Sequence, residues 1–118
     1  MKKTEMSEAN TSQLIRLKAG SLGCILLRNN VGAYKDNYGN FVRYGLGTGS
    51  SDLIGIYKGI FIACEVKKKG KKPTETQKKF LLMVLKNGGI GFVCDDPDDF
   101  ERLLNSDKKT LESYLTTK

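Results

Sequence analysis

Two apolar runs separated by Lys58-Gly59 constrain this chain more than any other feature. Leu53-Ile54-Gly55-Ile56-Tyr57 precedes that break and Ile60-Phe61-Ile62-Ala63-Cys64-Glu65-Val66-Lys67 follows it. β-Branched and aromatic residues dominate both, and a short glycine-containing break between such runs predicts a hairpin. Asp52 opens the first run and Glu65-Val66-Lys67 ends the second. Strand side chains alternate between faces, so Glu65 and Lys67 share one face while Val66 joins Cys64 and Ile62 on the other. Pairing through the turn brings Asp52 and Glu65 together at one end of the sheet. Two carboxylates and the Val66 carbonyl offer hard oxygen ligands for Mg²⁺. Lys67 would hold and activate an attacking water, or neutralise charge growing on a phosphate. The plain alternative is a hairpin that ends in a surface Glu65–Lys67 pair.

The other chemistries narrow quickly. The chain of 118 residues has no histidine, which removes Ser-His, Cys-His and His-metal sites. Its three cysteines, Cys24, Cys64 and Cys94, lie far apart inside apolar runs, so they read as buried thiols rather than a zinc site or a disulfide framework. No apolar stretch approaches the roughly 20 residues of a membrane span. The N-terminus is charged and lacks the apolar core of a signal peptide, so the expectation is a cytoplasmic protein that is not secreted. A net charge of +7 and a pI near 9.4 favour an anionic partner, nucleic acid first.

Residues 1 to 118 read as one domain, with residues 1 to 6 disordered. Ser7 suits an N-cap, and Glu8, Ser12, Ile15, Ala19 and Leu22 form one helical stripe that ends at Gly20 and Gly23. Glu8 lies at the end of the inward face, or is a first-turn carboxylate favoured by the helix dipole. Cys24 to Arg28 and Phe41 to Tyr44 read as strands of one hairpin, joined by a polar connection over 29 to 40. Arg28, Lys35 and Arg43 then sit among Tyr34, Tyr38, Phe41 and Tyr44, a mixture suited to phosphate contact and base stacking. The glycines from Gly45 to Gly49 let the backbone turn sharply or approach a ligand before Asp52. The run from Lys67 to Lys72 reads as a mobile basic loop giving sequence-independent phosphate contact.

Thr74 caps the next helix, and Thr74-x-x-Gln77 fits a capping box. Gln77 also precedes the apolar positions Phe80, Leu81 and Val84, so capping and a polar contact in the site compete for one side chain. Ile90 to Cys94 is a buried strand, and the helix before it makes a βαβ crossover with parallel pairing. Asp96 with Pro97 reads as a helix start rather than a metal cluster. Residues 97 to 118 follow as a C-terminal helical extension.

The order is helix, three strands, helix, strand: an αβββαβ core with a mixed sheet flanked by helices. With Asp52 and Glu65-x-Lys67 on the second and third strands, it resembles the PD-(D/E)xK nuclease superfamily and its restriction-endonuclease-like fold. More closely it resembles a stand-alone VRR-NUC domain of phages and bacteria. The matching residues are Arg28-Asn29-Asn30-x-Gly32, Gly49-Ser50-Ser51-Asp52-Leu53-Ile54-Gly55, Glu65-Val66-Lys67 and Lys72-Pro73-Thr74-x-x-Gln77-x-x-Phe80, across roughly residues 7 to 96. Ser51 departs from the pattern by standing where the superfamily name places proline.

The resemblance implies a DNA phosphodiesterase using Mg²⁺ or Mn²⁺ and leaving a 5′ phosphate. Asp52, Glu65 and Glu8 match metal-binding carboxylates, Lys67 the catalytic lysine, and Gln77 the polar residue of the second core helix. Arg28, Asn30, Ser50 and Ser51 are expected to contact DNA, with Lys35 and Arg43 on the hairpin and Lys68, Lys69, Lys71 and Lys72 in the basic loop. Stand-alone members are similar to Holliday-junction resolving enzymes, which implies branched DNA and a homodimer. The competing expectations are a DNA-binding or assembly module with a decayed site, and a flap or duplex nuclease without junction preference.

Overall fold

The computed structural model describes residues 7–117; the disorder expected for residues 1 to 6 lies outside them. Helix α1 (Glu8–Ser21) starts at Ser7, whose Oγ accepts from Asn10 N at 3.1 Å. Five further elements build the core: β1 (Ile25–Arg28), β4 (Leu53–Tyr57), β5 (Ile60–Val66), α2 (Glu75–Lys86) and β6 (Ile90–Cys94). Strands β2 (Gly32–Lys35) and β3 (Phe41–Tyr44) form a separate ribbon between β1 and β4. The chain is thus an α/β protein in the αβββαβ order, with a hairpin inserted.

The central sheet runs β1-β4-β5-β6, antiparallel except for the parallel β5–β6 pair that the crossover through α2 requires. Pairing of β1 with β4 corrects the expected hairpin of Cys24–Arg28 with Phe41–Tyr44. Burial explains it. Leu26 needs a core, which the sheet face carrying Leu53 and Ile62 provides, whereas no residue of β2 or β3 is buried. Gly55 permits the pairing to be close, because a Cβ there would overlap the Ile25 carbonyl oxygen. The β4–β5 turn has positive φ at both Lys58 (51°) and Gly59 (80°), the mark of a type I′ hairpin.

Helix α1 packs on one sheet face, burying Thr11, Ile15 and Ala19. The inward stripe therefore passes through Thr11, and Glu8 is exposed, not inward-facing. Helix α2 covers the opposite face of β5 and β6. A 3₁₀ turn (Pro97–Asp99) leads into α3 (Phe100–Leu104) and then α4 (Lys108–Thr116). The segment is helical, as expected, and it completes the core. Phe100, Leu103, Leu104, Leu111 and Leu115 are all buried in the one core, and Phe100 meets Phe92 edge-on at 5.6 Å. No helix among the described residues is long and apolar enough to cross a membrane.

Candidate functional site

The register Leu53↔Cys64 places Asp52, just before β4, beside Glu65 near the end of β5. The Val66 N–H donates to Asp52 Oδ2 at 3.1 Å, which fixes that carboxylate across the strand end. Glu65 is only 2% exposed. Its Oε1 accepts from Gln77 Nε2 at 2.9 Å and lies 3.9 Å from Lys67 Nζ. Its Oε2 is buried and accepts no hydrogen bond, and the Glu65 carboxyl lies against the Asp52 carboxylate. Two carboxyl groups in contact are costly when both are charged, so the pair needs either a shared proton or a cation.

Burial first, and the neighbouring Asp52 carboxylate second, push the Glu65 carboxyl from 4.5 up to about 8. Lys67 opposes this, but at 3.9 Å, the outer limit of an ion pair, it does not offset both. Glu65 therefore holds a proton at neutral pH in the metal-free chain. The residues that could offer oxygen to a small divalent cation are Glu65, the adjacent Asp52, and Val66, of which Asp52 and Val66 line the cleft. Among the described residues no three acidic, histidine or cysteine side chains gather at one point. Glu8, expected as a third metal ligand, instead stands on the far wall of the same cleft and does not join the pair.

Gln77 resolves its competition by using both ends of its amide. The Thr74 N–H donates to Gln77 Oε1 at 2.8 Å and the Gln77 N–H donates to Thr74 Oγ1 at 3.2 Å, completing the capping box. The amide nitrogen remains for Glu65. The start of α2 and the buried carboxylate are thereby held by one side chain.

A cleft of about 550 Å³ opens between α1 and the strand ends, lined by Glu8, Ser12, Arg16, Arg28, Asn29, Asn30, Asp52 and Val66. Arg28 and Asn30, both expected to contact DNA, are brought to this cleft with Asp52. Arg16 was not singled out from the sequence. It lies one and two turns beyond Ser12 and Glu8, so the polar i, i+4, i+8 stripe was the available signal, and its Nε donates to the Leu26 carbonyl at 3.4 Å.

Asn29 was also missed as a site residue. Its Nδ2 donates to Ser50 Oγ (2.8 Å) and to the Ser51 carbonyl (2.9 Å), its Oδ1 accepts from Leu46 N (3.4 Å), and its backbone N–H donates to the Asp52 carbonyl (2.8 Å). It clamps the whole glycine-rich loop onto β1. Gly49 permits a close approach to Thr76 of α2, whose methyl a Cβ would strike. Ser51 is fully buried and its Oγ has no partner, so its side chain does not reach DNA from this position. Ser50 is half-buried and spends its hydroxyl on Gly47 O and Asn29.

The basic loop is tied down rather than free. Lys69 pairs with Asp96 at 3.0 Å and the Gly70 N–H donates to Asp95 at 3.0 Å. Asp96 also caps the 3₁₀ turn, accepting from Asp98 N at 2.9 Å, as expected. Lys68, Lys71 and Lys72 are exposed, and Lys35 and Arg43 sit on the β2–β3 ribbon and are not among the residues that line the cleft. All three cysteines are free and buried. A hydrogen bond with Cys94, then burial, holds the Cys64 thiol well above its ordinary range, so it stays protonated and inert.

No protein-family model matches this chain, and a search of the curated proteins gave no match.

Proposed function

We propose that this chain is a divalent-metal-dependent endonuclease acting on branched DNA. The observation that carries the reading is Glu65: a carboxyl buried against the Asp52 carboxylate, with a lysine 3.9 Å away and a glutamine fixing one of its oxygens. A structural ion pair has no use for a second carboxylate pressed against the first. Asp52, Glu65 and the Val66 carbonyl would hold Mg²⁺ or Mn²⁺, which supplies Lewis-acid stabilisation of charge building on the phosphate. Gln77 fixes the orientation of Glu65. The Lys67 side chain is only 16% exposed, and its ammonium orients the attacking water or meets the developing negative charge. Arg16 and Arg28 offer guanidinium groups to the phosphates on either side of the scissile bond. Water adds to phosphorus, the P–O3′ bond breaks, and the products are a 5′ phosphate and a 3′ hydroxyl.

The homodimer belongs to the same reading. Support for it comes from the sheet face of β1 and β4 that no helix covers, where Ile25, Leu27 and Ile56 are 57–65% exposed. A second copy seated there would bury them.

The deciding experiment is cleavage of a labelled four-way junction, a flap and a plain duplex with Mg²⁺ or Mn²⁺, using wild type and Lys67→Ala. Paired symmetric nicks in the junction by wild type alone are expected. Cutting of flap or duplex instead would keep the nuclease and discard the junction preference. Binding without any cutting would transfer the assignment to a DNA-binding or assembly module.

A further inference from the structure

The β2–β3 ribbon is the one sheet whose side chains pack into no core. It is not hydrogen-bonded to the four-stranded sheet. Its register divides it into two faces. Tyr34 and Tyr44 share one, with ring centroids 6.4 Å apart; Lys35, Phe41 and Arg43 share the other. The Lys35 ammonium sits 5.4 Å from the Phe41 ring centroid. Tyr38, at the tip, is 90% exposed and Phe41 72%. Four aromatic rings open to water on a two-stranded ribbon need a partner for their faces.

Charge selects the partner. The ribbon's acidic side chain, Asp36, is consumed inside the turn, accepting from Tyr38 N and Asn40 N at 2.9 Å each. Arg43 makes no ion pair among the described residues. Exposed rings interleaved with cations bind nucleotides whose bases are free to stack, and a duplex keeps its bases stacked on each other. Position adds a second argument. The ribbon leaves and returns at Asn30 and Leu46, and Asn29 joins that root to Asp52 by its hydrogen bonds to Leu46 N and the Asp52 carbonyl. The root of the ribbon at Asn30 itself lines the cleft with Arg28 and Asp52.

We propose that the β2–β3 ribbon is a base-stacking reader of unpaired nucleotides that feeds a single strand to the Asp52–Glu65 site. The delivery half rests on the nuclease reading; the binding half does not. It narrows the substrate to DNA with an unpaired segment, such as an open branch point, a flap or a gap.

The test is fluorescence anisotropy with labelled oligo-dT and a fully paired duplex of equal length. It is run in EDTA so that no cleavage intervenes. Wild type should prefer oligo-dT. Tyr38→Ala and Phe41→Ala should each lose between about fivefold and a hundredfold in affinity for it, and Tyr38→Phe should retain it. Because the chain has no tryptophan and three of its five tyrosines lie on the ribbon, bound oligo-dT should also quench tyrosine emission. A charge-only contact would leave that emission unchanged. Equal affinity of wild type and the ring variants for oligo-dT would overturn the proposal, as would a wild type that favours the duplex or binds no DNA. Intact stacking by a protein that cuts nothing with Mn²⁺ would sink the nuclease reading and leave the ribbon's role standing.

Discussion

Replacing Glu65 by glutamine should make the metal-free protein more stable at neutral pH while removing its metal site. The magnitude follows from linkage. A native carboxyl at about 8 against 4.5 unfolded means the folded state binds more protons than the unfolded state between those values. Stability therefore falls as pH rises through that window. Each pH unit inside it costs up to about 1.4 kcal/mol, so wild type should lose up to about 2.7 kcal/mol between pH 5.5 and 7.5. Glu65→Gln keeps the oxygen that accepts from Gln77 and puts an N–H in place of Oε2, where it can donate to Asp52. Its stability should lack this slope. The opposite class of carboxylate does not interfere: Asp96 and Asp107 are held below the usual 3.8 by hydrogen bonds from Asp98 N and Thr110 N, so their contribution is lost only as pH falls below that value. The assay is urea unfolding followed by circular dichroism, in EDTA, at constant ionic strength. A gap between variant and wild type that stays constant from pH 5.5 to 7.5 would refute the reasoning. Mn²⁺ added at pH 7.5 should then stabilise wild type and leave the variant unmoved.

Three further outcomes follow from the same geometry. Asp52→Ala should abolish the heat of Mn²⁺ and of Ca²⁺ binding in isothermal titration, where equal heats in wild type and variant would remove Asp52 from the metal site. Gly55→Ala should cost about 2–3 kcal/mol by denaturant unfolding, because its methyl overlaps the Ile25 carbonyl oxygen. Light scattering of wild type at working concentration should return twice the 13.1 kDa chain mass, and Ile56→Lys should return the single-chain value; a monomeric wild type would discard the dimer.

The parts of the fold legible in the sequence were those fixed by local chemistry. Ser7, Thr74 and Asp96 cap as their spacing says, and the Lys58-Gly59 turn sets Asp52 against Glu65. Partner choice across long connections was not legible. Cys24–Arg28 and Phe41–Tyr44 each look like strands, and only the burial demanded by Leu26 shows that the first pairs with β4. Gly32–Lys35 looked like connection because its ladder is local and its side chains stay wet. The C-terminal helices read as an appendage because they follow the last strand, yet Phe100, Leu103 and Leu111 finish the core. In the site, residue types pointed to Asp52, Glu65 and Lys67, and hydrogen bonding supplied what types cannot. Gln77 serves two partners at once, Asn29 clamps the loop, and Ser51 faces inward.

The two-residue turn at Lys58-Gly59 lies six residues from Asp52, about 20 Å along the strand. That distance does not make it a neutral place for insertions. An extra residue there slips β5 by one position against β4 and turns Glu65 to the opposite face, since strand side chains alternate. The β2–β3 turn, which no buried side chain depends on, can lengthen without moving either carboxylate. Tolerance to insertion in this chain is therefore set by register and not by nearness to the site. A library of loop-length variants would find the far turn unforgiving and the ribbon tip permissive.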